Sequence, residues 1–121
     1  MRSVSPWSRR APFVLVILLS VWMLFSPGST VPAGPPYGDK VVHALLFAAL
    51  AMTGRQAGLR PGALLGALVV YAAGSEALQS VLPINRAGDV LDATVDVLGA
   101  VAGVVAWQRL RPGRRPRRLD P

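Results

Sequence analysis

The sequence predicts an all-α polytopic membrane protein, a bundle of four transmembrane helices, on three observations. Hydrophobic residues make up 52% of the 121 and charged residues 16%, with a mean hydropathy of +0.44, which is too apolar for an ordinary soluble domain. The apolar residues gather into four stretches separated by Pro- and Gly-containing turns. The basic residues are concentrated in alternate connections, as they are in oriented membrane proteins.

The first span is set at about 11–26, after a basic N-terminus over 1–10. Its residues APFVLVILLSVWMLF contain one polar side chain, Ser20. A helix apolar on every face lies in lipid or is cut away. The basic start, short apolar run and Ala33 also resemble a cleavable signal peptide, although Pro32 and the missing A-x-A pattern speak for a retained helix. The turn PGSTVPAGPPYG cannot continue a helix. The second span, about 40–56, is short and has His43 as the ionisable group within its apolar run. The third, about 62–82, carries Glu76 and Gln79 near its far end, and the fourth, about 90–107, carries Asp92 and Asp96 near its beginning. Pro61 with Gly62, and Pro83 with Gly88, mark the remaining turns, and an Arg/Pro-rich tail occupies 108–121. No long repeat or strand alternation is visible.

The formal charge is +7, and twelve of the thirteen basic residues are arginine. Nucleic acid is not expected as a partner, because the tail arginines have no interleaved aromatic for base stacking. The absence of cysteine excludes disulfides and thiolate chemistry. Arg2, Arg9 and Arg10 precede the first span, Arg55 and Arg60 fill the second connection, and six arginines from Arg109 to Arg118 follow the fourth. The other two connections hold only Lys40 and Arg86. Eleven against two predicts a multi-pass protein of the cell membrane with both termini cytoplasmic and the loops at Tyr37 and Asn85 outside.

With that orientation the polar residues of the spans converge on the outer side. Asp39, Lys40 and His43 open the second helix, Glu76 and Gln79 close the third, and Arg86, Asp89, Asp92 and Asp96 enter the fourth. Spacings of i,i+4 for Asp39 and His43, i,i+3 for Glu76 and Gln79, and i,i+3,i+7 for Asp89, Asp92 and Asp96 put each set on one helix face. A charge inside a span costs about 2.5–3.5 kcal/mol on insertion scales, so these faces should look at one another. They form the candidate functional cluster. The structural alternative is mutual satisfaction, with Arg86 or Lys40 paired to the aspartates and Gln79 bonded to a backbone carbonyl. Gly62, Gly66 and Gly74 in the third helix, and the GxxxG of Gly99 and Gly103 in the fourth, are expected at helix contacts.

Several chemistries remain open for the cluster. Asp89, Asp92 and Asp96 offer hard oxygens to Mg²⁺, as a lipid-phosphate enzyme would need. A zinc site would have His43 as its only nitrogen ligand. There is no G-x-S-x-G nucleophile motif. No metal or other cofactor is assigned. The favoured reading is a pocket whose cations, Arg86, Lys40 and protonated His43, hold an anionic or amphiphilic head group. Its ligands would be membrane lipids or a lipid-linked envelope precursor, with an enzyme or a structural accessory subunit as alternatives.

The order of D-K-x2-H at Asp39, Lys40 and His43, E-x2-Q at Glu76 and Gln79, and R-x2-D-x2-D at Arg86, Asp89 and Asp92, followed by Gly99 and Gly103, resembles the VanZ-like family. The resemblance covers about residues 38–107. Asp96 stands where that family commonly has Asn. The resemblance implies a small polytopic envelope protein related to one associated with resistance to glycopeptides such as teicoplanin, and it implies no particular molecular activity.

Overall fold

The computed structural model describes residues 6–25, 38–81 and 90–110. They form four α-helices and no strand: α1 (Pro6–Phe25), α2 (Gly38–Gln56), α3 (Pro61–Val81) and α4 (Val90–Leu110). The all-helical class is as expected, and the helix ends differ by a few residues. α1 begins before the apolar run, with Pro6 in a first turn where its missing N–H costs nothing. α4 continues past Trp107 to Leu110, with Arg109 in a last turn that favours a cation.

α2 ends in a Schellman motif. Gly58 has φ +97°, the left-handed conformation that favours glycine. The Leu59 N–H bonds the Gly54 carbonyl at 3.1 Å and the Gly58 N–H bonds the Arg55 carbonyl at 3.0 Å. Arg55 Nη1 donates to the Leu59 carbonyl at 2.7 Å, and Pro61 opens α3 immediately afterwards. The tight reversal makes α2 and α3 antiparallel. The space beside Gly58 is taken by the Arg9 guanidinium, which brings the start of α1 to the same end of the bundle.

Three segments, Trp7–Phe25, Pro61–Val81 and Leu91–Leu110, are long and apolar enough to cross a membrane. α2 is not such a helix, since its 19 residues include Asp39, Lys40 and Arg55. Its position explains the composition. α2 packs against all three other helices, whereas α1 and α4 do not meet among the described residues. Leu46, Phe47, Leu50 and Ala51 of α2 are all core residues. Its inner side therefore matches neighbouring helices, while Val41 and Leu45 of α2 turn outward together with Leu15, Leu18, Trp22, Val70, Leu98 and Val101 of the other helices. The buried set includes Ser20, His43, Ser75, Glu76, Gln79, Asp92 and Asp96. Apolar outside with polar inside is the arrangement a lipid solvent favours.

The closest packing is between α2 and α4, which run parallel. A Cβ added to Gly99 would collide with the Ala44 backbone, and one on Gly103 would meet the Ala48 carbonyl and, at 2.8 Å, the Ala51 methyl. Only glycine permits this approach. The expectation for Gly62, Gly66 and Gly74 is corrected: nothing lies within 4 Å of a Cβ at any of them. The inner face of α3 is Leu64, Leu68, Ala72, Ser75, Glu76 and Gln79. Each of the three glycines stands two residues from members of that face, about 200° around the helix, and so points away from the bundle.

Gly99→Ala should lower the stability of the detergent-purified protein by about 1–3 kcal/mol through overpacking. Gly66→Ala should be neutral or stabilising by up to about 1 kcal/mol, the helix preference of alanine over glycine. Thermal unfolding of the two variants checks this, and equal effects would contradict the seam.

Candidate functional site

One end of the bundle collects the polar side chains because the last turns of α1 and α3 and the first turns of α2 and α4 meet there. Lys40, in the first turn of α2, places Nζ 2.9 Å from Asp92 Oδ1 of α4. One turn further, His43 Nδ1 lies 2.8 Å from Asp96 Oδ1. Lys40 and His43 are three apart on α2 and their partners four apart on α4, so both pairs follow from one parallel packing. The Lys40 side chain keeps 25% of its surface exposed, against 9% for Asp92, while the His43 and Asp96 side chains are 3% and 0% exposed. With Asp96 ionised, the Nδ1–H of His43 donates, and Nε2 becomes the basic ring atom. The second Asp96 oxygen is buried and accepts no hydrogen bond.

α3 adds the third wall. Glu76 is buried, and one ligand atom from each of His43, Glu76 and Asp92 lies within 4.8 Å of the others. These three residues could hold a metal ion. They share only Asp92 with the aspartate face considered for Mg²⁺: Asp96 is turned to His43, and Asp89 lies outside the described residues. Gln79 Nε2 donates to the Leu24 carbonyl at 2.6 Å, tying the end of α3 to the end of α1. That is the contact the structural alternative, mutual satisfaction, expected of Gln79.

The structure therefore brings Lys40, His43, Glu76, Asp92 and Asp96 together, with Gln79 at the edge of the group. The Asp39 side chain, Arg86 and Asp89 lie outside the described residues. Of the cations assigned to a head group, Lys40 and His43 are each held by an aspartate. Sequence reasoning missed a second polar contact beneath the cluster. Ser20 of α1 donates to its own Ile17 carbonyl at 2.7 Å and so accepts the Tyr71 hydroxyl, also at 2.7 Å. The Tyr71 ring tilts against Phe47 with centroids 5.5 Å apart. The signal was present in Ser20 as the one polar side chain of the apolar run 11–25.

Removing one partner of the Lys40–Asp92 pair should cost more than removing both. Lys40→Met leaves a buried carboxylate without its ammonium, worth about 3 kcal/mol in a fully buried pair and about 1–2 kcal/mol here after discounting for the exposed lysine stem. The Lys40→Met, Asp92→Leu double variant should recover much of that loss in the same unfolding measurement. Strict additivity would mean the two groups are uncoupled.

No family model, curated protein or solved structure matches this chain, so the resemblance to the VanZ-like family rests on the motif residues alone.

Proposed function

We propose that this chain is a VanZ-like multi-pass protein of the cell membrane, with four spans and both termini cytoplasmic, that binds a lipid-like or lipid-linked envelope ligand at its outward-facing polar end. The observation that carries the reading is a buried polar cluster combined with an apolar groove in the same small bundle. The groove has a volume of about 340 Å³ and is lined by Phe13 and Ile17 of α1, Leu50 of α2, and Leu64, Leu68 and Tyr71 of α3, among others. That volume is in the range of small-ligand sites. Tyr71 lines the groove and stands five residues before Glu76 on α3. An amphiphile is the ligand class with a head for the cluster and a chain for the groove.

α2 completes the four spans despite its composition. At 19 residues it extends about 28 Å, close to the thickness of a hydrocarbon core. It starts at the polar end beside α4 and finishes at the Arg55 turn, so it runs the full depth of its neighbours. Arg9, Arg55 and Arg60 cluster at the end opposite Lys40, which supports the orientation. Recognition of the head group centres on Lys40, whose ammonium is the partly exposed cation beside Asp92. The carboxylates keep the cationic groups in place.

Lipid retained through gentle purification and identified by mass spectrometry tests the binding. Glu76→Gln and Asp92→Asn keep side-chain volume, so both should give inserted, folded protein that has lost the lipid. Retention in both variants would make the polar face a scaffold.

Orientation is checked separately. The chain has no cysteine of its own, so introduced thiols report without background. Cysteines at Ser29 and Asn85 should react with an impermeant reagent on intact cells, and one at Gln56 should not. Labelling only at Gln56 would invert the assignment.

A further inference from the structure

We propose that His43, Glu76 and Asp92 form a site for one divalent transition-metal cation of the zinc class, with Asp96 positioning the histidine. The three residues come from α2, α3 and α4, all are buried, and each offers a ligand atom within 4.8 Å of the other two. Two ligands at 2.0–2.1 Å on a tetrahedral ion stand about 3.3 Å apart. Binding thus draws the side chains together by at most about 1.5 Å, within the reach of their rotamers. One imidazole and two carboxylates are a mixed nitrogen and oxygen set. Such a set suits zinc and its neighbours better than Mg²⁺ or Ca²⁺, which prefer oxygen throughout.

An independent observation comes from the far side of the ring. Metal-binding histidines usually donate their other N–H to a carboxylate, which fixes the tautomer and raises the basicity of the ligating nitrogen. Asp96 does this here: it is fully buried, and Oδ1 lies 2.8 Å from His43 Nδ1. A histidine serving only to satisfy a core aspartate needs nothing further. It does not account for two more buried carboxylates converging on the same imidazole, whose mutual repulsion the Lys40 ammonium beside Asp92 offsets only in part. A dication between them converts that repulsion into coordination. Lys40 engages Asp92 through Oδ1, which leaves the second carboxylate oxygen for the ion. The second Asp96 oxygen is buried without a hydrogen bond and belongs to the carboxylate behind the ring, outside the trio. Three protein ligands leave one position of a tetrahedral ion for water or an anionic oxygen.

This inference stands apart from the lipid reading, since the ion is measured on delipidated protein and the lipid by mass spectrometry on untreated samples. The experiment uses the full chain in detergent, freed of any histidine-containing tag, stripped with chelator and titrated with Zn²⁺ by calorimetry. Uptake of one equivalent per chain is expected. Glu76→Gln should weaken it at least 10-fold and Asp96→Asn by about 10- to 100-fold, while Ser80→Ala leaves it unchanged. Because His43 is the chain's single histidine and cysteine is absent, Cu²⁺-loaded wild type should show imidazole nitrogen coupling in pulsed EPR. That signal locates the ion even if a variant fails to fold. Folded wild type that takes up no stoichiometric Zn²⁺, binding unchanged in both carboxylate variants, or a Cu²⁺ spectrum without imidazole coupling would each overturn the site.

Discussion

Everything at the polar end depends on how closely α2 and α4 approach. The helices meet where Gly99 and Gly103 lie on the backbone around Ala44 and Ala48. With side chains of ordinary size there, the axes would separate by an ångström or more. A hydrogen bond of 2.8–2.9 Å does not survive such a displacement. The glycines are one and two turns below Asp96, so they act as a fulcrum for the charged residues above them. Small residues at the seam and charged residues at its mouth are one device: van der Waals contact sets the distance, and the ion pairs set the register.

The remaining helices complete the enclosure and bring one more carboxylate into it. α3 brings Glu76 against the α2–α4 pair and shields it, while Gln79 and Tyr71 fasten α1 through the Leu24 carbonyl and Ser20. In the hydrocarbon setting proposed above, each such contact would have weight, because an unsatisfied polar group has no water to turn to. The hydroxyls of Thr53, Ser75 and Ser80 bond carbonyls of their own helices and add no inter-helix constraint. The inter-helix hydrogen bonds named above lie in the half of the bundle that carries the cluster.

Periodicity and cost made much of this legible. Asp92 and Asp96 could not face lipid, Arg86 or Lys40 was the cation to pair with them, and Gly99 with Gly103 had the spacing of a packing motif. What stayed hidden was the partner surface. Ala44 and Ala48 carry no signal of their own, and alanine in an apolar run fits lipid, core or seam equally well. The third-helix glycines misled for the related reason that small residues announce permission for close approach without saying whether a neighbour takes it. The central place of α2 was hidden too. Weak hydrophobicity reads as a poor span in isolation and becomes an interior helix only when three others surround it. Composition indicated that Ser20 was unusual, but not that Tyr71, 51 residues later, would meet it.

The parallel pairing of α2 with α4 has a consequence in time. Lys40 and Asp92 are 52 residues apart, and His43 and Asp96 are 53. At about 5–20 residues per second, the ribosome delivers each aspartate roughly 3–10 s after its basic partner. During that interval α2 is the least self-sufficient segment of the chain, with a lysine and a histidine that lipid would receive poorly. The tight turn at Gly58 then takes on a second role. In the four-span topology proposed above, it would let α2 and α3 enter as a hairpin, with the more apolar α3 carrying its neighbour until α4 arrives. Biogenesis of this bundle is thus a problem of keeping one half-made interface out of the acyl chains until synthesis supplies the other half.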